Sequence, residues 1–272
     1  MTFDPNPQAA QMADPSMLRN LDAQARAIWP QEAPLFDRYG LRPGARILDV
    51  GCGPGEIASR LAERFPQAHV TGVDLIEEHL RLAHARYPHL HGRLELLKAD
   101  AFALPFEDGA FDLAVCRHVV QAIPEPTRAL AELARVTRPG GHLHVLAEDY
   151  GMLYFHPTPP RVTEFWNEGP PAFGKAQGVD LHVGRRTFTH LRRLGLLDVR
   201  VDWIVVDPMR VPRETFATIL EAWRDGYAGP VSGATRFSDA RALFDTMIAC
   251  LMDPDGYGVW HVPIVSCQIP AP

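Results

Sequence analysis

Hydrophobic positions between residues 46 and 147 alternate between short unbroken runs and longer stretches spaced like one face of a helix. Such runs predict buried strands, and three- and four-residue spacing predicts amphipathic helices. The predicted strands are 46–50, 69–73, 94–98, 111–116 and 142–147, and the predicted helices are 56–65, 76–86 and 127–137. Strands that alternate with helices form βαβ units. We therefore expect an α/β fold, a doubly wound and largely parallel sheet with helices on both faces.

Weaker patterns predict elements outside this region. Residues 1–15 contain three prolines and are expected to be a loose tail. A helix is expected from Ser16, as its cap, to the residue before Pro30, and a short second helix at 32–39. Residues 150–180 show no regular pattern. The later expected elements are a helix at 185–194, a strand at 199–206, two helices within 211–252 separated at Gly226–Gly233, and a strand at 259–269.

These patterns divide one structural domain into six segments. The predicted segments are an N-terminal tail with cap helices (1–40), a ligand-binding core (41–149), a cap insertion (150–180), a continuation of the core (181–206), a helical cap insertion (207–256) and the last core strand (257–272).

Composition and charge narrow the possible partners. The 272 residues are 46% hydrophobic and 22% charged, which suits a protein with a sizeable core. The net charge of −6 lacks the basic surface of a nucleic-acid binder. No apolar run approaches the roughly 18 residues that span a bilayer, and the first residues lack the positive charge of a signal peptide. We expect a cytoplasmic monomer or homodimer with no nucleic-acid or membrane partner.

The cysteines and histidines do not predict a metal site. The four cysteines, at 52, 116, 250 and 267, lack the paired spacing of a disulfide framework or a zinc site. The histidines at 84–91 flank a helix end and a proline turn. Those at 142–144 lie along one strand face without acidic or cysteine neighbours to complete a ligand set. We expect no bound metal.

Three glycines, Gly51, Gly53 and Gly55, separate the first predicted strand from the next helix. Glycines let the backbone approach a ligand closely, and the amides at a helix start favour an anionic group. A nicotinamide-dinucleotide loop requires glycine at the position of Glu56, and a P-loop requires Lys followed by Ser or Thr. Both are disfavoured, which leaves the pattern D-x-G-x-G-x-G beginning at Asp49.

That pattern resembles the first motif of class I S-adenosylmethionine-dependent methyltransferases. The resemblance extends over about residues 40–150 and includes the fourth strand and the turn at 135–141. The run from Cys116 to Pro126 is similar to the branch of ubiquinone and menaquinone C-methyltransferases, which also contains natural-product methyltransferases. The resemblance implies S-adenosylmethionine as methyl donor, S-adenosylhomocysteine as product, an antiparallel last strand and helical cap insertions. It does not specify the acceptor.

The resemblance also assigns residues to the donor. Asp74, after the second strand, corresponds to the carboxylate that accepts hydrogen bonds from both ribose hydroxyls. Asp100 corresponds to the acceptor of the adenine amine. Each aspartate alone is also typical of an ordinary cap. The implied donor-binding set is Asp49, Gly51, Cys52, Gly53, Asp74, Leu75, Asp100, Ala101, Phe102, Arg117 and His118.

The acceptor site is expected beyond the carboxyl ends of the strands, where ligands of this fold bind. The aromatic residues of segment 150–180 predict either a pocket for a flat, apolar acceptor or the core of the cap itself. The candidate catalytic residues are His118, Asp149, Tyr150 and His182, with Glu148 and His156 as further candidates to accept a proton. Each also has a structural interpretation, such as a turn cap for Asp149.

The expected activity is in-line transfer of a methyl group to oxygen, nitrogen or carbon of a small aromatic or apolar metabolite, such as a phenol, quinol or indole. Enzymes that methylate DNA bases usually carry Asn/Asp-Pro-Pro-Tyr/Phe after the fourth strand, where this chain has residues 117–120 with a different sequence. The alternatives are a non-catalytic binding or scaffold protein of the same fold and a nicotinamide-dependent oxidoreductase. Binding tests with the two cofactors separate these three functions.

Overall fold

The computed structural model describes residues 4–271, and eight strands in this range form one sheet. The strands are β1 Arg46–Val50, β2 His69–Asp74, β3 Leu94–Lys98, β4 Phe111–Arg117, β5 Thr137–Leu146, β6 Leu153–His156, β7 Leu197–Val206 and β8 Tyr257–Gln268. The order is β3-β2-β1-β4-β5-β8-β6, with β7 along the other edge of β8. Strands β1 to β5 pair in parallel, and β8 is antiparallel to its three neighbours. The predicted fold class is confirmed.

Helices pack on both faces of the sheet. They are α1 Ala9–Met12, α2 Pro15–Glu32, α3 Glu56–Arg64, α4 Glu77–Arg86, α5 Pro126–Val136, α6 Pro160–Gln177, α7 Gly184–Arg193, α8 Arg213–Ala234 and α9 Ala240–Met252. Ile47 packs in one core cluster with Leu61 of α3, and Leu48 packs in another with Leu133 of α5. Successive strand residues point to opposite faces, so these two clusters lie on opposite sides of the sheet. Burial of each leucine contributes about 2 kcal/mol.

A third core cluster lies in the cap. It joins α2, α6, α8 and α9 to the end of β5 and to β8, and Phe165, Phe216 and Trp260 are almost completely buried in it. β5 and β6 pair with different parts of one edge of β8, so residues 147–152 lie between them. Among the described residues, every helix is too short or too polar to span a bilayer.

The sheet order reverses between β1 and β4. β1 leads to β2 on one side, and β4 leads to β5 on the other. Loops that follow strands on either side of such a switch point diverge and leave a crevice at the carboxyl ends. The glycine loop after β1 and the Arg117–His118 segment at the end of β4 therefore border the same crevice.

The N-terminal prediction was wrong in three respects. Residues 9–12 of the expected tail form α1, whereas residues 1–3 lie outside the described residues. Asp14, not Ser16, caps α2, because its Oδ1 accepts a hydrogen bond from the Ser16 amide at 2.8 Å. The helix continues through Pro30 to Glu32. Proline removes only one hydrogen bond there, near the helix end, and the burial of Ala23, Ala27 and Ile28 stabilises the helix. Residues 33–39 form a 3₁₀ helix.

Two cap predictions were also wrong. Segment 150–180 contains β6 and the 18-residue helix α6, in which Pro170 and Pro171 are tolerated because Phe165, Trp166 and Phe173 are buried on one side. The glycines of 226–233 do not interrupt α8, which ends at Ala234. Ala228 and Val231 are buried there, so tertiary packing outweighs the low helix propensity of glycine.

Candidate functional site

The glycine loop after β1 is fastened to the neighbouring strand. The amides of Gly51 and Cys52 donate to the Val73 carbonyl at 2.8 and 2.9 Å. Gly51 has a φ of +71°, and a Cβ atom there would lie 2.2 Å from Cγ2 of Val119. Only glycine fits this backbone conformation and this approach without a shift of the β4 loop.

Asp74 holds two turns at the end of β2. Its Oδ2 accepts from the Gly53 amide and its Oδ1 from the Ile76 amide, both at 2.8 Å. A carboxylate has about four acceptor positions. The two backbone bonds therefore orient Asp74 and leave it capacity to accept hydrogen bonds from a ligand.

One cavity at the switch point gathers the predicted donor residues. Its volume is about 120 Å³. The lining includes every residue of the predicted donor set: Asp49, Gly51, Cys52, Gly53, Asp74, Leu75, Asp100, Ala101, Phe102, Arg117 and His118. We call this the donor cavity. The individual binding roles of these residues stay predictions.

Two charged atoms of the donor cavity lack a partner. Nη2 of Arg117 and Oδ2 of Asp49 are buried, and neither makes a hydrogen bond within the described residues. Burial raises the pKa of the Asp49 carboxyl to about 7, against the opposing effect of the Arg117 guanidinium. Buried charges are costly without partners. This pair therefore suits a ligand that carries both an ammonium and a carboxylate group.

A buried network holds Arg117, and sequence reasoning missed it. Arg117 Nε donates to Oε1 of Glu32 at 2.8 Å, and the same oxygen lies 3.0 Å from Nε2 of His144. The Tyr39 hydroxyl lies 2.7 Å from Nδ1 of His144. Glu32 and His144 are completely buried. The partners come from α2, the following 3₁₀ helix and β5, so no local motif in the chain indicates them.

Comparison with known proteins agrees with this geometry. Residues 48–145 match the family described as "Methyltransferase domain". They contain a class I S-adenosylmethionine-dependent methyltransferase domain. The cofactor of this domain class is S-adenosylmethionine. Its amino-acid moiety carries an ammonium and a carboxylate, which suit the free Oδ2 of Asp49 and the free Nη2 of Arg117 within the described residues. The residues present therefore fit the cofactor.

Two curated proteins are similar to part of this chain. The chain is 42% identical over 101 residues to demethylmenaquinone methyltransferase of Thermus thermophilus, covering 37% of this chain and 46% of that protein. It is 40% identical over 114 residues to the ubiquinone/menaquinone biosynthesis C-methyltransferase of Dinoroseobacter shibae, covering 41% and 46%. The matched region thus spans less than half of these relatives.

A solved structure extends the likeness in fold to almost the whole chain. Phosphoethanolamine N-methyltransferase 2 of Haemonchus contortus, in complex with S-adenosyl-L-methionine, superposes with a TM-score of 0.60 at 17% identity. The alignment covers 97% of this chain and 60% of that protein. At this identity the likeness concerns the fold only.

His118, just after β4, lies next to Glu148, which follows β5. Nδ1 of His118 lies 2.8 Å from Oε1 of Glu148, although its N–H does not point directly at that oxygen. Nε2 of His118 is buried and has no hydrogen-bond partner in the described part of the chain. Gln24 of α2 donates to the same Glu148 oxygen at 2.7 Å. His118 also has a φ of +57°, a conformation that costs a non-glycine residue about 1–3 kcal/mol and clusters at functional sites.

The other predicted catalytic residues lie away from the donor cavity. Asp149 accepts four hydrogen bonds, from the Gly151 amide and from the Arg185 amide, Nε and Nη2, and is completely buried. These contacts give it a structural role between β5 and α7. His182 lines neither the donor cavity nor the aromatic cavity described next, and burial lowers the pKa of its imidazole. His156 is exposed on β6.

Tyr150 lines a second cavity, which we call the aromatic cavity. Seven aromatic residues border it: Tyr150, Phe165, Trp166, Phe173, Trp223, Tyr227 and Phe244. Other aromatics of the two insertions do not: Tyr154 is half-exposed, and Phe155 packs against Phe216 in the core of the cap. The insertions thus supply both a cavity lining and a core.

Proposed function

We propose that this protein transfers the methyl group of S-adenosylmethionine to a small metabolite of aromatic or apolar character, on oxygen, nitrogen or carbon. The observation that carries the proposal is the donor cavity, where the glycine loop, Asp74, Asp100, Asp49 and Arg117 line one space. Within residues 4–271, Oδ2 of Asp49 and Nη2 of Arg117 have no hydrogen-bond partner there. Bound S-adenosylmethionine supplies a methyl group on a sulfonium, and the electron pair of the C–S bond stays on sulfur when the acceptor atom bonds to the methyl carbon.

Within the donor cavity we assign binding roles by chemistry. Asp74 accepts hydrogen bonds from neighbouring ribose hydroxyls, and Asp100 accepts from the adenine amine. Phe102 and Leu75 contact the purine ring. Arg117 binds the carboxylate of the amino-acid moiety, and Asp49 binds its ammonium.

On the acceptor side, we assign proton acceptance to His118 when the acceptor must lose a proton. Its unpartnered Nε2 is free to take the proton, and Glu148 stabilises the imidazolium that forms. The same logic, a base oriented by a carboxylate, recurs in many hydrolases. We assign no proton transfer to Asp149 or His182.

The acceptor itself is proposed to bind between the core and the two insertions, 150–180 and 207–256. The aromatic cavity lies between α6, α8 and α9 and supplies apolar contact surface to such a molecule. In this division of the chain, the core (41–149) binds the donor and the insertions select the acceptor.

The test of this function has two stages. Calorimetry with S-adenosylmethionine and S-adenosylhomocysteine, with NAD as control, examines the donor cavity. Asp74→Asn is expected to weaken binding at least tenfold, and Glu77→Gln, an exposed change on α4, is the matched control. A screen of phenols, quinols, indoles, amines and aliphatic acids for transfer of labelled methyl then identifies the acceptor. Donor binding without transfer to any acceptor would favour the non-catalytic alternative.

A further inference from the structure

Three rings that line the aromatic cavity, Tyr150, Trp166 and Trp223, pack against one another, and we call this group the box. Tyr150 and Trp166 are nearly parallel, with centroids 6.2 Å apart and planes inclined by 8°. Trp223 stands across them, at 5.3 Å and 67° to Tyr150 and at 6.0 Å and 68° to Trp166. All three rings line the aromatic cavity, so a group held there lies next to several electron-rich rings. A cation within about 6 Å of a ring centroid is attracted by such surfaces.

The size of the aromatic cavity suits a small chemical group. Its volume of about 40 Å³ has room for about three water-sized groups. The rest of its lining is Phe165, Pro170, Phe173, Leu181, Tyr227, Val231 and Phe244. A compact head group fits this space, whereas a fused ring system requires the walls to move apart.

A buried negative charge lies next to this box. Glu148 is 2% exposed, and in residues 4–271 its only ion-pair partner is His118. The neighbouring Asp149, by contrast, is fully engaged by Arg185. Burial and the Glu148 carboxylate together raise the pKa values of the Tyr150 and Tyr227 hydroxyls, so this charge acts on two residues that line the cavity. Within residues 4–271 Glu148 pairs with no Arg or Lys, so its buried carboxylate can also serve as counter-charge to a cationic ligand.

The aromatic cavity adjoins the donor cavity through two contacts. His118 lines the donor cavity and meets Glu148, which lies beside Tyr150. Met12 lines the donor cavity too, and its sulfur lies 4.0 Å from the Tyr227 hydroxyl. A molecule held in the aromatic cavity is therefore next to the residues that we assign to the donor.

We propose that the aromatic cavity binds a small ammonium group, so that the acceptor of this enzyme is an amine. The inference rests on the proposed function and specifies its acceptor. Tyr150, Trp166 and Trp223 supply the cation–π contacts, and Glu148 supplies the counter-charge. An amine that still carries a proton gives it to His118, and the freed nitrogen lone pair forms the bond to the methyl carbon while the C–S pair stays on sulfur.

Two probes of equal shape test the charge requirement. Choline and its neutral carbon analogue 3,3-dimethylbutan-1-ol differ in one atom. Both carry a hydroxyl to which the Trp223 indole N–H, which has no partner within residues 4–271, can donate. Titrations use the full chain saturated with S-adenosylhomocysteine, and each probe is raised to millimolar concentration. We expect choline to bind at least about tenfold more tightly than the neutral analogue.

Variants of the box and the counter-charge complete the test. Glu148→Gln keeps the shape and is expected to reduce the preference for choline at least about fivefold. Trp223→Phe keeps an aromatic ring and should keep most of the preference for choline over the neutral analogue. Trp223→Leu removes the ring and should remove this preference. Glu164→Gln, an exposed change on α6, is the control.

The outcomes separate this inference from the proposed function. Equal affinity for the two probes, or no binding of either to the S-adenosylhomocysteine complex, would overturn the ammonium site while the donor site stands. Failure of S-adenosylhomocysteine itself to bind would overturn the proposed function.

Discussion

Nδ1 of His118 lies 2.8 Å from Oε1 of Glu148, and the side chains are only 7% and 3% exposed. His118 lines the donor cavity, and Glu148 lies beside Tyr150 of the aromatic cavity. The pair therefore occupies the boundary between the proposed donor and acceptor sites. In the proposed function, this position puts a buried base where a proton leaves a protic acceptor.

The first prediction concerns this pair. Glu148→Gln removes the charge that stabilises an imidazolium at His118, so we expect kcat to fall about 100-fold with a protic acceptor. The pH dependence of kcat should change, and the affinity for S-adenosylhomocysteine should remain close to that of the original protein. Steady-state kinetics with an acceptor from the labelled-methyl screen measure both effects. An unchanged kcat would remove the pair from proton transfer.

A second prediction follows from Asp49. Because burial raises the pKa of its carboxyl to about 7, the carboxylate becomes protonated as the pH falls through that value. The ionised form is the one that binds a ligand ammonium. We therefore expect the affinity for S-adenosylhomocysteine to fall as the pH is lowered from about 8 to about 6.

Asp49→Asn is the matched variant for this titration. It should bind more weakly at about pH 8 and lose most of the pH dependence, because the amide does not ionise in this range. Calorimetry across the pH range provides the measurement. A wild-type affinity that is independent of pH would show that Asp49 does not bind the ammonium.

The third prediction concerns the network behind Arg117. Glu32→Ala leaves Arg117 buried without its carboxylate, which costs about 3–5 kcal/mol for a buried pair. The melting temperature should fall by about 5–15 °C, and the affinity for S-adenosylhomocysteine should fall because Arg117 is no longer held. Glu78→Ala removes an exposed pair with Arg81 and should barely change either value. Equal effects of the two variants would contradict this account.

Two glycines with positive φ distinguish the effect of backbone strain from the effect of close packing. Gly51 and Gly40 both have positive φ, but a Cβ at Gly40 meets nothing within 4 Å, whereas one at Gly51 meets Val119 at 2.2 Å. Both alanine variants should lose about 1 kcal/mol from strain. Only Gly51→Ala should also lose at least tenfold in donor affinity. Equal donor affinity in both variants would be inconsistent with the need for close packing at the loop.

Local patterns were sufficient to predict the core. The bounds of β1 and β3 agree with the prediction to the residue, because buried strands and turn residues carry strong local signals. The predicted donor set lines one cavity for a related reason, since the parallel sheet itself brings together the glycine loop and the aspartates at the strand ends.

The cap and the acceptor side could not be predicted in the same way. α6 and α8 contain prolines and glycines that normally interrupt helices, and contacts from distant segments stabilise them. The contact of His118 with Glu148 joins the ends of two strands, and Glu32 reaches Arg117 from α2. Such relationships depend on packing between elements far apart in the chain, which one sequence does not specify.

The most direct test of the central claim is calorimetric titration of the full chain with S-adenosylhomocysteine, compared between the original protein, Asp74→Asn and Glu77→Gln. We expect micromolar binding in the original protein and in Glu77→Gln, a loss of at least tenfold in Asp74→Asn, and no binding of NAD. Absence of binding in the original protein, or equal binding in all three, would contradict the assignment of the donor cavity.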